Sequence, residues 1–224
     1  MSTEVNVSSE VQEKGKPSIF GFITSPVVQF EKMKSSPVIW GPLLLILILT
    51  AATTILAVYT PQAKEALQQQ KEAGIEVNST FSMIGGVIAV VATLAFTSLI
   101  LFLIAKLGTG KTTYRQMFSL NLFVTFITAI GQLINTGVAA LAHTSANVTS
   151  LNGMVGAKGA MGGVFTSIEI FSIWGLTLTA VGLQKVANVS KAASIITVII
   201  LFILGAAISG VGGAASEALK GAGL

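Results

Sequence analysis

The residue best placed to do chemistry is Glu169, which lies within an apolar run of membrane length, residues 164–183. An acid near the middle of a spanning helix costs about 2.5–3.5 kcal/mol, whereas each Leu, Ile, Val or Phe returns only about 0.3–0.6 kcal/mol. At about 100° per residue, Ser172 falls on the same side of this helix as the acid. We therefore expect that side to face protein or water and the other side to face lipid.

Polar partners for this acid are expected on a neighbouring span. Gln132 and Asn135 lie in the third apolar run, and Asn135 falls about 10 Å inside the end of that run, close to the depth of Glu169. One interpretation of this polar cluster is a proton or cation relay centred on Glu169. The other is an interhelical hydrogen bond between Asn135 and Glu169, of about 1 kcal/mol, that fixes helix register. A single acid without charged intramembrane partners favours the hydrogen bond.

Residue types needed for most enzyme chemistries are missing. The chain has no cysteine, its nine acids are all glutamate, and His143 is its only histidine. Neither a catalytic triad nor a metal-binding shell can be assembled from this set. We expect no catalytic, cofactor or metal site, and a protein that is not an enzyme.

A Gly-Thr-Gly-Lys-Thr-Thr segment at residues 108–113 resembles the end of a nucleotide-binding P-loop. That motif requires a glycine where this chain has Ala105, and it follows a strand rather than a spanning helix. The segment is better explained as a tight cytoplasmic turn with basic residues at the lipid headgroups. Those residues are Lys106, Lys111 and Arg115.

The composition that surrounds these residues is that of a multi-pass membrane protein. The chain is 52% hydrophobic and only 10% charged, with a mean hydropathy of +0.82. Its formal net charge of +4 does not indicate nucleic-acid binding, because the basic residues lie beside the apolar runs. Five runs approach the roughly 20 residues that a spanning helix needs. They predict an all-α bundle with spans at about 38–60, 81–105, 118–142, 164–183 and 192–213.

The distribution of lysine and arginine predicts the orientation of these spans. With five spans, nine of the 13 basic residues fall on the side of the membrane that carries the amino terminus, and four fall on the opposite side. Because cytoplasmic loops carry the excess of basic residues, we expect a cytoplasmic amino terminus and an extracytoplasmic carboxyl terminus.

The remaining segments predict the domain organisation. Residues 1–17 are polar and unpatterned, as in a disordered cytoplasmic tail, residues 18–213 form the membrane domain, and 214–224 form a short extracytoplasmic tail. Within the domain, Pro26 follows a serine, and Val27, Phe30 and Met33 recur at helical spacing. They predict an amphipathic helix that lies on the membrane surface or packs under the bundle.

Small residues at four-residue spacing mark a face of the fifth span: Gly205, Ser209 and Gly213. Helix backbones can approach closely at such a face. In a sequence so rich in small residues, the spacing favours packing inside the chain, and a partner protein or a second copy of the chain is the alternative. We take the fifth span as the candidate partner face.

Several phrases of the sequence resemble the bacterial branch of the Yip family of five-span membrane proteins. They are Phe22-Ile-Thr-Ser-Pro26 with Phe30-Glu31 and Pro37, the connection Thr113-Tyr-Arg-Gln-Met-Phe118, and Trp174-Gly-Leu continuing to Val181-Gly-Leu-Gln-Lys-Val186. The likeness covers roughly residues 18–205.

This resemblance implies a helical bundle without enzymatic activity that acts through other membrane proteins. Eukaryotic members bind prenylated small GTPases, and some bacterial members resemble accessory subunits of an ABC exporter involved in envelope self-protection against toxic peptides. A short amino-terminal region and the absence of cysteine fit a bacterial cytoplasmic membrane. We therefore expect an accessory or assembly protein without cofactors, surrounded by the lipid bilayer and other membrane proteins. The alternative is a small carrier or channel with a proton or cation relay at Glu169.

Overall fold

The fold is built from helices. The computed structural model describes residues 15–72, 74, 79–106, 108, 111–144 and 148–221. The helices are α1 (Ile19–Thr24), α2 (Pro26–Ser35), α3 (Trp40–Ala57), α4 (Pro61–Glu72), α5 (Ser79–Ala105), α6 (Tyr114–Ala142), α7 (Leu151–Val155), α8 (Gly159–Ser167), α9 (Ile170–Ala187) and α10 (Lys191–Gly221). Most of the predicted disordered tail, residues 1–14, lies outside the described residues.

Five helices within the described residues are long and apolar enough to cross a membrane. Their spanning parts are Trp40–Ala57, Ile84–Ala105, Tyr114–Ala142, Ile170–Ala187 and Lys191–Leu219. The predicted all-α five-span class is therefore confirmed. Two boundaries differ most from the sequence-based ones: the fourth span begins at Ile170 rather than at 164, and the last helix continues to Gly221 rather than ending at 213.

Successive spans alternate in direction, so the short elements fall into two groups. We call the end that carries α1, α2 and the α5–α6 and α9–α10 turns the α2 end. The opposite end, which carries α4 and α7, is called the α4 end.

The central element is α6, which packs against α3, α5 and α9. It begins with a reciprocal capping box, in which the Thr113 hydroxyl accepts from the Gln116 N–H and the Gln116 side chain accepts from the Thr113 N–H at 2.8 Å. One turn and a half further on, the Asn121 amide donates to the Leu94 carbonyl at 3.1 Å and to the Ser98 hydroxyl at 3.0 Å. These buried bonds hold α5 against α6.

The amino-terminal helices pack under the bundle at the α2 end. The rings of Phe22 and Phe30 meet edge to face at 5.1 Å, and Phe22 meets Phe123 of α6 at 5.3 Å. Phe22, Phe30 and Met33 are completely buried. The periodicity at Phe30 and Met33 thus reflects packing against α6 and α9.

Polar contacts fix the position of α2 on the α9–α10 turn. The Lys34 ammonium donates to the Asn188 side-chain oxygen at 3.0 Å, and Lys185 pairs with Glu31 at 3.3 Å. Both partners of the ion pair are close to half exposed, so it contributes only about 0–1 kcal/mol. The stability of this end comes mainly from the aromatic cluster.

The outward face of α1 and α2 remains apolar. Phe20 is 82% exposed, and Ile23, Val27 and Val28 are also exposed. Such residues at the end of a membrane bundle are suited to the headgroup region. The two helices therefore combine both predicted arrangements: one face packs under the bundle and the other is free for the membrane surface.

Candidate functional site: a broken helix and the cavity beside it

The apolar run at 164–183 does not form one helix, which corrects the sequence-based expectation. Helix α8 ends at Ser167, Ile168 and Glu169 are extended or irregular, and α9 begins at Ile170. The break is bridged by the start of α7, because the Leu151 N–H donates to the Ile168 carbonyl at 2.9 Å. The Ile170 N–H likewise donates to the Thr149 carbonyl at 3.4 Å, so two backbone groups released by the break are bonded within the protein.

Glu169 is the N-cap of α9, whereas the sequence placed it inside the span, about 7.5 Å from the start of the apolar run. Helix α9 has 18 residues, which is about 27 Å and close to the roughly 30 Å thickness of the hydrocarbon region. Glu169 therefore lies near the boundary at the α4 end. Hydropathy could not reveal this position, because the apolar residues continue on both sides of the break.

Both carboxylate oxygens of Glu169 have partners. Oε1 accepts from the Thr149 hydroxyl at 2.6 Å and from the Phe171 N–H at 3.0 Å. Oε2 accepts from the Ser172 N–H at 2.7 Å and from its hydroxyl at 2.9 Å. The carboxylate also lies at a helix amino terminus, where the helix dipole favours negative charge.

These contacts decide the direction in which the acid titrates. Partial burial raises the pKa of Glu169, but the hydrogen bonds from Thr149, Phe171 and Ser172 together hold the pKa below its ordinary value. Each of these bonds stabilises the charged form more than the neutral form. Glu169 is therefore a charged capping group in the folded protein.

The predicted pairing of Asn135 with Glu169 is indirect. Asn135 Nδ2 donates to the Thr149 hydroxyl at 2.8 Å, and its Oδ1 accepts from the Thr149 N–H at 3.0 Å. Thr149 thus stands between the two residues and contacts both. Sequence reasoning missed Thr149, since a residue in an irregular connection has no periodicity that could place it beside α6.

The other two residues of the predicted cluster differ in their roles. Ser172 bonds directly to Glu169. Gln132 does not join this network, and its amide reaches only the Thr136 hydroxyl, at 3.5 Å. All four cluster residues nevertheless line one cavity.

This cavity has a volume of about 870 Å³ and receives residues from all five spans. It extends from the level of Asn121 on α6 to Asn135 and Glu169 at the α4 end. The two residues on α6 are 14 positions apart, which corresponds to about 21 Å along the helix. The cavity therefore covers more than half of the membrane thickness.

Several polar groups on its wall have no hydrogen-bond partner in the described part of the chain. They are the hydroxyls of Thr50, Thr93, Thr97 and Thr125 and the side-chain carbonyl oxygen of Gln132. Each such group would cost about 1–3 kcal/mol in an apolar medium. Other wall hydroxyls donate within their own helix, as Thr128 does to the Thr125 carbonyl at 3.0 Å.

A second cavity, of about 330 Å³, adjoins the first between α3 and α6. The two share Thr50, Ala129 and Gln132 as lining residues. The second continues along threonines of α3 to Thr60, which lies at the start of α4. Polar lining thus continues from the α4 end to the first cavity.

The small-residue face of the fifth span packs inside the chain, so it is not the free partner face that the sequence suggested. A side chain at Gly213 would collide with the carbonyl oxygen of Gly159, and one at Gly163 would collide with that of Ser209. Helix α8 therefore occupies this face at Ser209 and Gly213. Gly205 has open space around it and lines the large cavity.

The basic turn at the α2 end is partly engaged. The Lys106 ammonium donates to the Thr112 carbonyl at 3.3 Å and lies 4.7 Å from the centre of the Phe102 ring. Lys111 and Arg115 are exposed. Thr109 and Gly110, in the P-loop-like segment, lie outside the described residues.

No cluster of three or more His, Cys, Asp or Glu side chains that could hold a metal occurs among the residues with described positions. The site is therefore a set of hydroxyl, amide and carboxylate groups along a cavity. Such groups can bind water and hydrogen-bonding molecules.

Comparison with known proteins agrees with this architecture. A family model described as the Yip1 domain matches residues 20–212, which include most of all five spans. The chain is also 38% identical over 213 residues to Membrane protein YknW of Bacillus subtilis (strain 168), over 90% of this chain and 92% of that protein. No solved structure matches the chain. This integral membrane protein therefore belongs to the Yip1 domain family.

Proposed function

We propose that the chain is a non-enzymatic accessory or assembly protein of the bacterial cytoplasmic membrane, which acts through other membrane proteins and has ABC exporter subunits as its partner class. The observation that carries this proposal is the bonding of Glu169. Its two oxygens accept four hydrogen bonds at a helix amino terminus. A carboxylate held in this way stabilises the broken helix and has little remaining capacity to pass a proton or an ion.

The surfaces of the outer spans also support this proposal. Only 17% of the most apolar window of the second span and 6% of that of the fifth are buried inside the protein. Helix α4 is polar and has no buried residue. Membrane-facing helices and a free polar helix provide contact surfaces for neighbouring proteins, and α10 is the longest of them, with 31 residues.

The test is capture of the full-length protein from its native membrane in mild detergent, followed by mass spectrometry. We expect the ATP-binding and membrane subunits of one exporter to be recovered together at a constant ratio. An unrelated five-span protein, expressed at the same level, is the control. Recovery of no exporter subunit above this control contradicts the proposal.

A second candidate function is a small carrier or channel, and the cavity that reaches Glu169 favours it. Unpartnered hydroxyls on its wall are groups that a polar solute could bond. The pure protein in liposomes should move no solute or proton if it is an accessory protein. Flux by the pure protein that is abolished in Glu169→Gln would support the carrier instead.

A further inference from the structure

We propose that the large cavity is filled with water from the α4 end and binds neutral or cationic hydrogen-bonding solutes while it excludes anions. This inference goes beyond the accessory role. It concerns the occupant of a cavity in the isolated protein, and it can be tested without a partner.

The first step of the argument is the depth of the unpartnered hydroxyls. Thr93 lies nine residues after Ile84, where the second span begins, and is therefore about 14 Å inside the membrane. Thr97 lies one turn deeper on the same helix, and Thr125 lies on α6. The hydrocarbon region offers no hydrogen bonds to these groups. An occupant that can form hydrogen bonds, such as water, is required.

The second step is a route for water. The smaller cavity shares Thr50 and Gln132 with the large one and ends at Thr60, which adjoins α4. Gln132 lies at the junction, with one weak contact at 3.5 Å and an oxygen that faces no donor in the described residues. Its side chain can therefore bond water on either side. The polar lining is continuous from the α4 end to the level of Asn121.

The third step is size. A volume of 870 Å³ is room for roughly thirty water molecules at about 30 Å³ each. The wall mixes apolar side chains with hydroxyl and amide groups, and water in such a site is held where it finds two or more of these polar partners. A small organic solute with part of its hydration shell fits the same space.

The fourth step is charge. Glu169 is the one ionisable residue among the described lining residues, and none of them is Lys, Arg or His. An anion in the cavity would find no positive partner and would face a carboxylate across a medium of low dielectric constant. A neutral or cationic solute meets hydroxyl and amide oxygens as acceptors. The chemistry of the wall thus selects against anions.

The absence of native cysteine permits a direct test of water access. Thr93→Cys places a thiol on the cavity wall, and Val91→Cys places one two residues away on the same helix, outside the cavity lining and 38% exposed. A thiol reacts with methanethiosulfonates as its thiolate, which forms only in water. In vesicles that contain the pure protein, we expect a membrane-impermeant reagent to modify Thr93→Cys about tenfold or more faster than Val91→Cys.

The direction of access is measured with a marker on α4. Gln69→Cys, on this exposed helix, reports which vesicles present the α4 end to the reagent. The fraction of Thr93→Cys protein that is modified should equal the fraction of Gln69→Cys protein that is modified in the same kind of vesicle. Equal, slow modification of Thr93→Cys and Val91→Cys means that the cavity is dry, and overturns the proposal. Failure here leaves exporter capture unaffected, so this proposal and the accessory function can fail separately.

Charge selection is tested at Thr128→Cys, which lies seven residues, or about 10 Å, from Asn135 on α6. The quantity measured is the rate of modification by a trimethylammonium reagent divided by the rate for a sulfonate reagent. We expect this ratio to be about fivefold or more higher at Thr128→Cys than for a free thiol in solution. In Glu169→Gln this preference should fall, while a neutral reagent reacts at an unchanged rate and so shows that the cavity is intact. A preference for the sulfonate, or one unaffected by Glu169→Gln, contradicts the charge selection.

Discussion

Replacing Gly213 with alanine tests whether α8 is packed against the last helix. A Cβ at this position would collide with the carbonyl oxygen of Gly159 and lie 3.0 Å from the Gly163 nitrogen. These contacts are backbone atoms, which cannot move aside as a flexible side chain can. The two helices would have to separate.

The neighbouring Gly212 is a matched control, because a Cβ there meets no atom within 4 Å. Alanine in place of glycine favours a helix by about 0.8–1 kcal/mol at either position, so this contribution cancels in the comparison. Overpacking typically costs about 1–3 kcal/mol. Gly213→Ala should therefore be about 1–3 kcal/mol less stable than Gly212→Ala.

The difference is measured as the thermal unfolding midpoint of the purified variants in one detergent. For a chain of this length, it corresponds to a Tm roughly 2–12 °C lower for Gly213→Ala than for Gly212→Ala. Gly212→Ala itself should match or exceed the parent protein. Equal Tm values for the two variants would refute the close approach of α8 and α10.

Three further predictions follow from the capping acid, the aromatic cluster and the orientation of the chain. At pH 7 the unfolding free energy of Glu169→Gln should be about 1–2 kcal/mol lower than that of the parent protein. Because folding lowers the pKa of Glu169, the stability that its charge contributes is present above the ordinary glutamate pKa and is lost as the pH falls through the lowered pKa of the folded protein. The Tm difference between this variant and the parent should therefore shrink in acid. Phe30→Ala should lose about 3–5 kcal/mol of unfolding free energy, whereas Phe20→Ala, at a residue 82% exposed, should change the Tm little. Reporter fusions after Lys111 and Leu224 should report opposite sides of the membrane, the first cytoplasmic, and a result with both on one side would contradict the five-span orientation.

The sequence by itself determined the class of the protein and the number of its spans. Apolar length predicts a membrane helix because the bilayer sets the same thickness for every span, whatever the neighbours are. The family phrases predicted the Yip relationship that the Yip1 match over residues 20–212 confirms. The helical spacing of Phe30 and Met33 likewise predicted a face, although not whether protein or membrane would cover it.

The tertiary structure alone decided the positions of the polar groups. Hydropathy placed Glu169 inside a span, because it averages over a window and is insensitive to a helix break. The break forms here because Thr149 and Leu151 supply hydrogen bonds from another part of the chain. The face of Ser209 and Gly213 could have met any small-residue surface, and only the folded chain brings α8 to it. The capacity of the cavity wall to form hydrogen bonds depends on which hydroxyls remain without partners. Long-range packing decides that, because a threonine such as Thr93 has the same local sequence signal whether it faces lipid, protein or water.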